Sequence, residues 1–145
     1  MSGQHAPAFV YTVRVSYADT DAMRFVHHSR YLVYFESART ELLRATGSTY
    51  AEWERRGYLL PVTRAEVEFL QPTRYDDVLE VTVRIARLER LRLAFEYEVR
   101  RKGEDRVLSR ARTEHVFINE KGAPQRAPKE FLQPLEEWLR GERPL

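Results

Sequence analysis

The chain has 145 residues, 43% hydrophobic and 32% charged, with 24 Lys+Arg against 22 Asp+Glu and no cysteine. That length supports one domain with its own core, and the near-balanced charge leaves no basic field to draw nucleic acid or an anionic membrane. Without cysteine there are no disulfides, zinc–thiolate sites or thiol nucleophiles. No apolar run approaches the ~18 residues of a membrane-spanning helix. "MSGQHAPAF" lacks the charged start and apolar core of a signal peptide, so a cytoplasmic protein is expected.

Taken in chain order, "FVYTVRVSY" (9–17) alternates, with Tyr11, Val13, Val15 and Tyr17 on one face and Thr12, Arg14 and Ser16 on the other. This is the pattern of a half-buried strand. Over 28–46 the period changes to three and four: Tyr31, Tyr34/Phe35, Ala38, Leu42 and Ala45 fall on one broad face, and Gly47 supplies a stop. A short second helix is expected behind it, opened by Thr49 and Glu52 as a capping box and closed by Gly57. Then the period returns to two. Thr63, Ala65, Val67 and Phe69 form one inward face, Leu79, Val81, Val83 and Ile85 a second, and Leu93, Phe95, Tyr97 and Val99 a third; 107–118 makes a fourth long strand. Clean alternation of this length predicts antiparallel strands covered on one side. A last helix over 128–140 starts at Pro128 and carries Phe131, Leu132, Leu135, Trp138 and Leu139, with Pro134 expected to kink or restart it. The order β-α-α-β-β-β-β-α predicts an α+β domain, a curved antiparallel sheet wrapped around one long buried helix. Such a sheet has long edges, and pairing in a homodimer would cover them.

The segment "YADTDAMRFVHHSRYLVYFE" (17–36) concentrates chemistry. Asp19 and Asp21 followed by His27 and His28 can be read as a plain strand-to-helix loop, since aspartate favours turns. They can also be read as a metal cluster, although adjacent histidines point in different directions, His115 is distant on a strand and His5 lies in the tail. A third reading is catalytic. The start of a buried helix offers unpaired N–H groups and partial positive charge that can hold an oxyanion. A nearby carboxylate can attack a carbonyl or activate water. With no strong general acid at hand, that pairing suits a good leaving group such as a thiolate, and so a thioester better than an amide.

"VRVSYADTDAMRFVHHSRYLVYFESARTELLR", followed at a distance by "PTRYDDVLEV", resembles the hotdog-fold acyl-CoA thioesterases of the 4-hydroxybenzoyl-CoA thioesterase family over about residues 9–130. The resemblance implies one hotdog domain across 1–145 and hydrolysis of an acyl-CoA to free acid and CoA. It implies no cofactor or metal, with coenzyme A present only as part of the substrate, and assembly as a homodimer or homotetramer with the substrate between subunits. Carried over by position, the catalytic carboxylate falls on Asp21 and the oxyanion N–H on His28, whose side chain is also implicated. Asp19 becomes structural and His27 packs or caps. Contacts to the CoA phosphates map onto Arg87, Arg90, Arg92 and Arg126. Relatives commonly carry glycine at position 24 and asparagine at position 30, where this chain has Arg24, Phe25 and Arg30, so either the turn is reshaped or Arg24 lines the pocket mouth, and substrate choice stays open. A non-catalytic acyl-CoA or acyl-carrier-protein binding protein of the same fold is the alternative.

Overall fold

The computed structural model describes residues 6–145, so His5 lies outside the described residues. The elements are β1 (Phe9–Arg14), a 3-10 turn (Tyr17–Asp19), α1 (His28–Thr46), α2 (Tyr50–Arg55), β2 (Val62–Phe69), β3 (Val78–Leu88), β4 (Arg92–Arg101), β5 (Val107–Val116) and α3 (Lys129–Leu139). The strands form one antiparallel sheet in the order β1-β3-β4-β5-β2. Its inner face carries the alternating apolar residues of β3 and β4, from Leu79 to Ile85 and from Leu93 to Val99, all buried. Against them α1 packs Tyr31, Tyr34, Phe35, Ala38 and Leu42, with Phe35 lying 4.6 Å from the Tyr97 ring. This is the α+β arrangement the sequence predicts. α3 closes one end of the core: Phe131 stacks on Trp53 at 5.3 Å, and the helix runs through Pro134 without a break.

The outer face is charged in stripes. Arg112 pairs with Glu96 (2.9 Å), while Glu98 lies within reach of Arg84, Arg100 and Arg110 (3.4–3.8 Å). Acidic β4 thus sits between basic residues of β3 and β5.

Three expectations fail locally. The first strand ends at Arg14 because Val15 bonds the β2–β3 loop instead of β3, donating to the Asp77 carbonyl (2.9 Å) and accepting from the Asp76 N–H (3.1 Å). Tyr17 is therefore carried out on the 3-10 turn, 77% exposed, edge-on to Tyr75. On α1 the buried positions near the C-terminus are Leu43 and Thr46, and Ala45 faces out. The third failure is β2. Its alternation predicts a covered face, yet only Val67 is half-buried and the other residues are exposed. α1 lies over β1 and β3 on the opposite side of the sheet, so one chain has little to cover the β2 edge.

Candidate active site

Between the 3-10 turn and α1 the chain closes a tight loop. Thr20 and Val26 form an isolated β-bridge, Asp21 N–H donates to the Phe25 carbonyl (2.9 Å) and Arg24 N–H donates to the Asp21 carbonyl (2.9 Å). The Asp21 side chain caps the turn from within: its Oδ1 accepts from Met23 N–H (2.9 Å) and Phe25 N–H (3.4 Å). Its Oδ2 takes no hydrogen bond among the described residues, so one oxygen fixes the carboxylate and the other is unengaged. Arg24 holds φ 67°, the left-handed conformation that favours glycine. The turn keeps the bend despite the side chain. Val26 is buried, and its N–H donates to the Thr73 carbonyl (2.8 Å), which ties the loop to the β2–β3 connection.

Asp19 has a different environment. It is 5% exposed, and its carboxylate accepts from Tyr34 Oη (2.7 Å), Arg30 Nε (2.8 Å) and Ser16 N–H (3.3 Å). Its own carbonyl accepts from His27 N–H (2.8 Å). Burial pushes the Asp19 carboxyl up, but the hydrogen bonds from Tyr34 and Ser16 and the charge of Arg30 outweigh it. The carboxyl titrates below its ordinary value. Burial and that same carboxylate push the Tyr34 hydroxyl far up. Both Asp19 oxygens are engaged by groups that fix the loop to α1, with none directed at a substrate.

His27 is the N-cap of α1: its Nδ1 accepts from Ser29 N–H (3.2 Å) and lies 2.8 Å from Ser29 Oγ. His28 is the first helical residue, exposed, with its ring 4.1 Å from that of His27. Its backbone N–H makes no hydrogen bond among the described residues and lies in the first turn, where the helix dipole is positive. The loop thus joins a half-engaged carboxylate to an unpaired N–H at a helix start.

The four arginines expected at phosphates divide. Arg87 pairs with Glu89 (2.9 Å). Arg90 Nε donates to the Ala127 carbonyl (2.9 Å) and Ala127 N–H donates back to the Arg90 carbonyl (2.7 Å), so Arg90 fastens the 126–127 segment to the β3–β4 hairpin. Arg92 and Arg126 are exposed and without an ion pair among the described residues, and the Arg90–Ala127 bonds bring Arg126 to the hairpin that carries Arg92. No group of three or more histidine or acidic residues arranged to hold a metal occurs among the described residues.

Sequence reasoning missed a buried polar chain under α1. Thr113 Oγ1 lies 2.7 Å from Tyr97 Oη and 2.8 Å from His115 Nε2, with Arg39 Nη1 at 3.5 Å from Tyr97 Oη. Burial and the charge of Arg39 push His115 down to about 4, with the Leu60 carbonyl opposing. The signal was present: Thr113 and His115 occupy two successive inward positions of β5, where the pattern calls for apolar side chains.

Known proteins resemble this chain in sequence and in fold. A crystal structure of an Aquifex aeolicus protein superposes with TM-score 0.82 at 37% identity, covering 88% of this chain and 98% of that one. The acyl-CoA thioester hydrolase YbgC of Escherichia coli is 31% identical over 86% of this chain and 92% of its own. The DHNA-CoA thioesterase of Staphylococcus aureus superposes with TM-score 0.83 at 27% identity, covering 93% and 91%. The sheet-on-helix architecture is thus the hotdog fold of thioesterases. Residues 15–139 match the Thioesterase-like superfamily, and the chain belongs to it.

Proposed function

We propose that this protein hydrolyses the thioester of an acyl-coenzyme A to the free acid and CoA, with Asp21 as the reacting carboxylate and the His28 N–H as oxyanion donor. The observation that carries this reading is the state of Asp21: Oδ1 is fixed by two backbone N–H groups and Oδ2 is free, in a loop that leads straight into α1. The named relatives YbgC and DHNA-CoA thioesterase, which act on CoA thioesters by their names, support the substrate class.

The chemistry follows from those groups. With the thioester oxygen against the His28 N–H, the carbonyl carbon becomes electrophilic and the developing oxyanion meets a positive helix end. Asp21 Oδ2 then either attacks that carbon, giving an acyl anhydride that water cleaves, or takes a proton from a water that attacks in its place. In both routes the C–S bond breaks and the electron pair leaves on sulfur. A thiol ionises far more readily than an alcohol or amine, cysteine's at a pKa of about 8.5, so the CoA thiolate leaves without a strong general acid. Arg92 and Arg126 are the better-placed anchors for CoA phosphates, since Arg87 and Arg90 already have partners. The exposed β2 edge supports assembly as a homodimer at least, with the site shared between chains.

Thiol release from a panel of acyl-CoAs tests the reading. Asp21→Asn is expected to keep the wild-type melting temperature and to lower turnover by at least about a hundredfold, the scale of a lost acid/base group. Asp19→Asn should affect turnover far less. Equal and mild losses in the two variants would return the loop to a purely structural role. Tight binding of acyl-CoA by the wild-type protein without any release would make it a binding protein.

A further inference from the structure

Most charges around the Asp21 loop are paired with one another. Arg14 meets Asp76 (3.3 Å), Arg30 meets Asp19 (2.8 Å) and Arg101 meets Asp77 (3.2 Å). Among the described residues this leaves three groups around the loop without an ion partner: the Asp21 carboxylate and the guanidinium groups of Arg24 and Arg74. Both arginines are exposed.

Neither is an arbitrary surface side chain. Arg24 occupies the left-handed position of the turn, φ 67°, which is strained for a residue with a Cβ. Strain held at such a position, next to a reactive group, points to a use for the side chain. Arg74 comes from the β2–β3 loop and lies 5.1 Å over the ring of Phe25, the residue after Arg24. Phe25 is the same residue whose N–H reaches Asp21 Oδ1. The backbone of Arg74 is anchored, its N–H donating to Asp77 Oδ2 (2.8 Å). Its guanidinium makes no ion pair with Asp76 or Asp77, whose carboxylates serve Arg14 and Arg101. A guanidinium stacked on an aromatic face is held in orientation while its N–H edge stays open to an acceptor.

We propose that Arg24 and Arg74 form an anion-recognition pair at the mouth of the Asp21 loop, selecting thioesters that carry an anionic oxygen group. This rests on the thioesterase reading of Asp21. The oxygen group has two possible sources with the same chemistry, a carboxylate on the acyl chain or a phosphate of CoA.

The test uses four substrates with the 145-residue protein: glutaryl-CoA, pentanoyl-CoA, and the same two acyl groups on N-acetylcysteamine, which has no phosphate. In both Arg24→Gln and Arg74→Gln one selectivity ratio of kcat/KM should fall at least about tenfold, mainly through KM, the scale of one lost hydrogen bond to a charged group. A fall in the glutaryl-to-pentanoyl ratio on both carriers assigns the pair to the acyl carboxylate. A fall in the CoA-to-N-acetylcysteamine ratio for both acyl groups assigns it to phosphate. Arg74→Lys, which keeps the charge and loses the flat stack, should recover part of the affected ratio. Smaller changes in both ratios for either Gln variant overturn the proposal, as does an equal loss on all four substrates. The same ratios are read as Kd by calorimetry in an Asp21→Asn background. Selective binding without turnover in the wild-type protein would therefore sink the thioesterase reading and leave the anion pair standing, and no binding of any of the four would sink the pair.

Discussion

Replacing Asp19 by Asn separates a role in holding the loop from the reacting role proposed for Asp21. Asp19 is 5% exposed and accepts from Tyr34, Arg30 and Ser16. The amide keeps the volume but turns one acceptor oxygen into a donor and removes the charge that balances Arg30. Breaking a fully buried ion pair costs about 3–5 kcal/mol. The Arg30 side chain is 42% exposed and can turn to water, which lowers the expected loss. About 2–3 kcal/mol is then the expected cost, mostly two weakened hydrogen bonds to a charged group. For a chain of this length that amounts to roughly 7–10 °C in melting temperature. The assay is thermal unfolding by circular dichroism at fixed protein concentration, repeated from pH 8 to pH 2. Because the folded Asp19 carboxyl titrates below its unfolded value, its contribution is complete above the unfolded pKa of about 4 and is lost as pH falls through the folded value. The gap between wild type and Asp19→Asn should therefore be flat from pH 8 to 5 and narrow below about pH 4. A gap of under about 2 °C at neutral pH, or one that persists unchanged to pH 2, would refute the reasoning.

Three further outcomes are expected. Exhaustive chelation should leave thioester hydrolysis unchanged; activity lost to chelator and restored by a divalent ion would revive a metal role for Asp19, Asp21, His27 and His28. Sedimentation at assay concentration should show a dimer or larger assembly, since the β2 edge and the side chains of Val62 and Phe69 are exposed in one chain; a monomer active at full rate would rule out a shared site. His115 is held neutral with its value at about 4, so the folded state loses stability as pH falls from 6.5 toward 4. His115→Gln should flatten the stability profile in that window, and an unaltered acid limb would show that other groups set it.

The parts of the molecule that read well from sequence are those where one chain supplies all the partners. α1 begins at His28 and ends at Gly47, at φ 91°, where the three-four spacing and the glycine place it. β3 and β4 keep their predicted faces because α1 covers them. β2 misleads for the opposite reason: its alternating residues find little cover within one chain. At the candidate site, the structural role expected of Asp19 and the capping role of His27 agree with the bonds they make, yet the sequence carries no sign that Arg30 and Tyr34 are the partners. The resemblance makes Arg90 a candidate for CoA phosphates, and the sequence carries no sign that its carbonyl and Nε both bond Ala127. The bond between Tyr97 and Thr113 is not legible because pairing across strands, unlike spacing along one, cannot be counted in a linear chain.

The strand order bears on how the chain emerges during synthesis. β3, β4 and β5 are consecutive and pair with their sequence neighbours, so this meander can form from local contacts. Both outer strands come from earlier in the chain and add to its flanks, β1 beside β3 and β2 beside β5. The ribosome therefore delivers the Asp21 loop and the apolar face of α1 before any of the three strands that build the floor beneath them. Until β3, which ends at Leu88, has left the exit tunnel, that helix lacks the strand it lies on beside β1, and its aromatic face is the surface most in need of protection while the chain is incomplete.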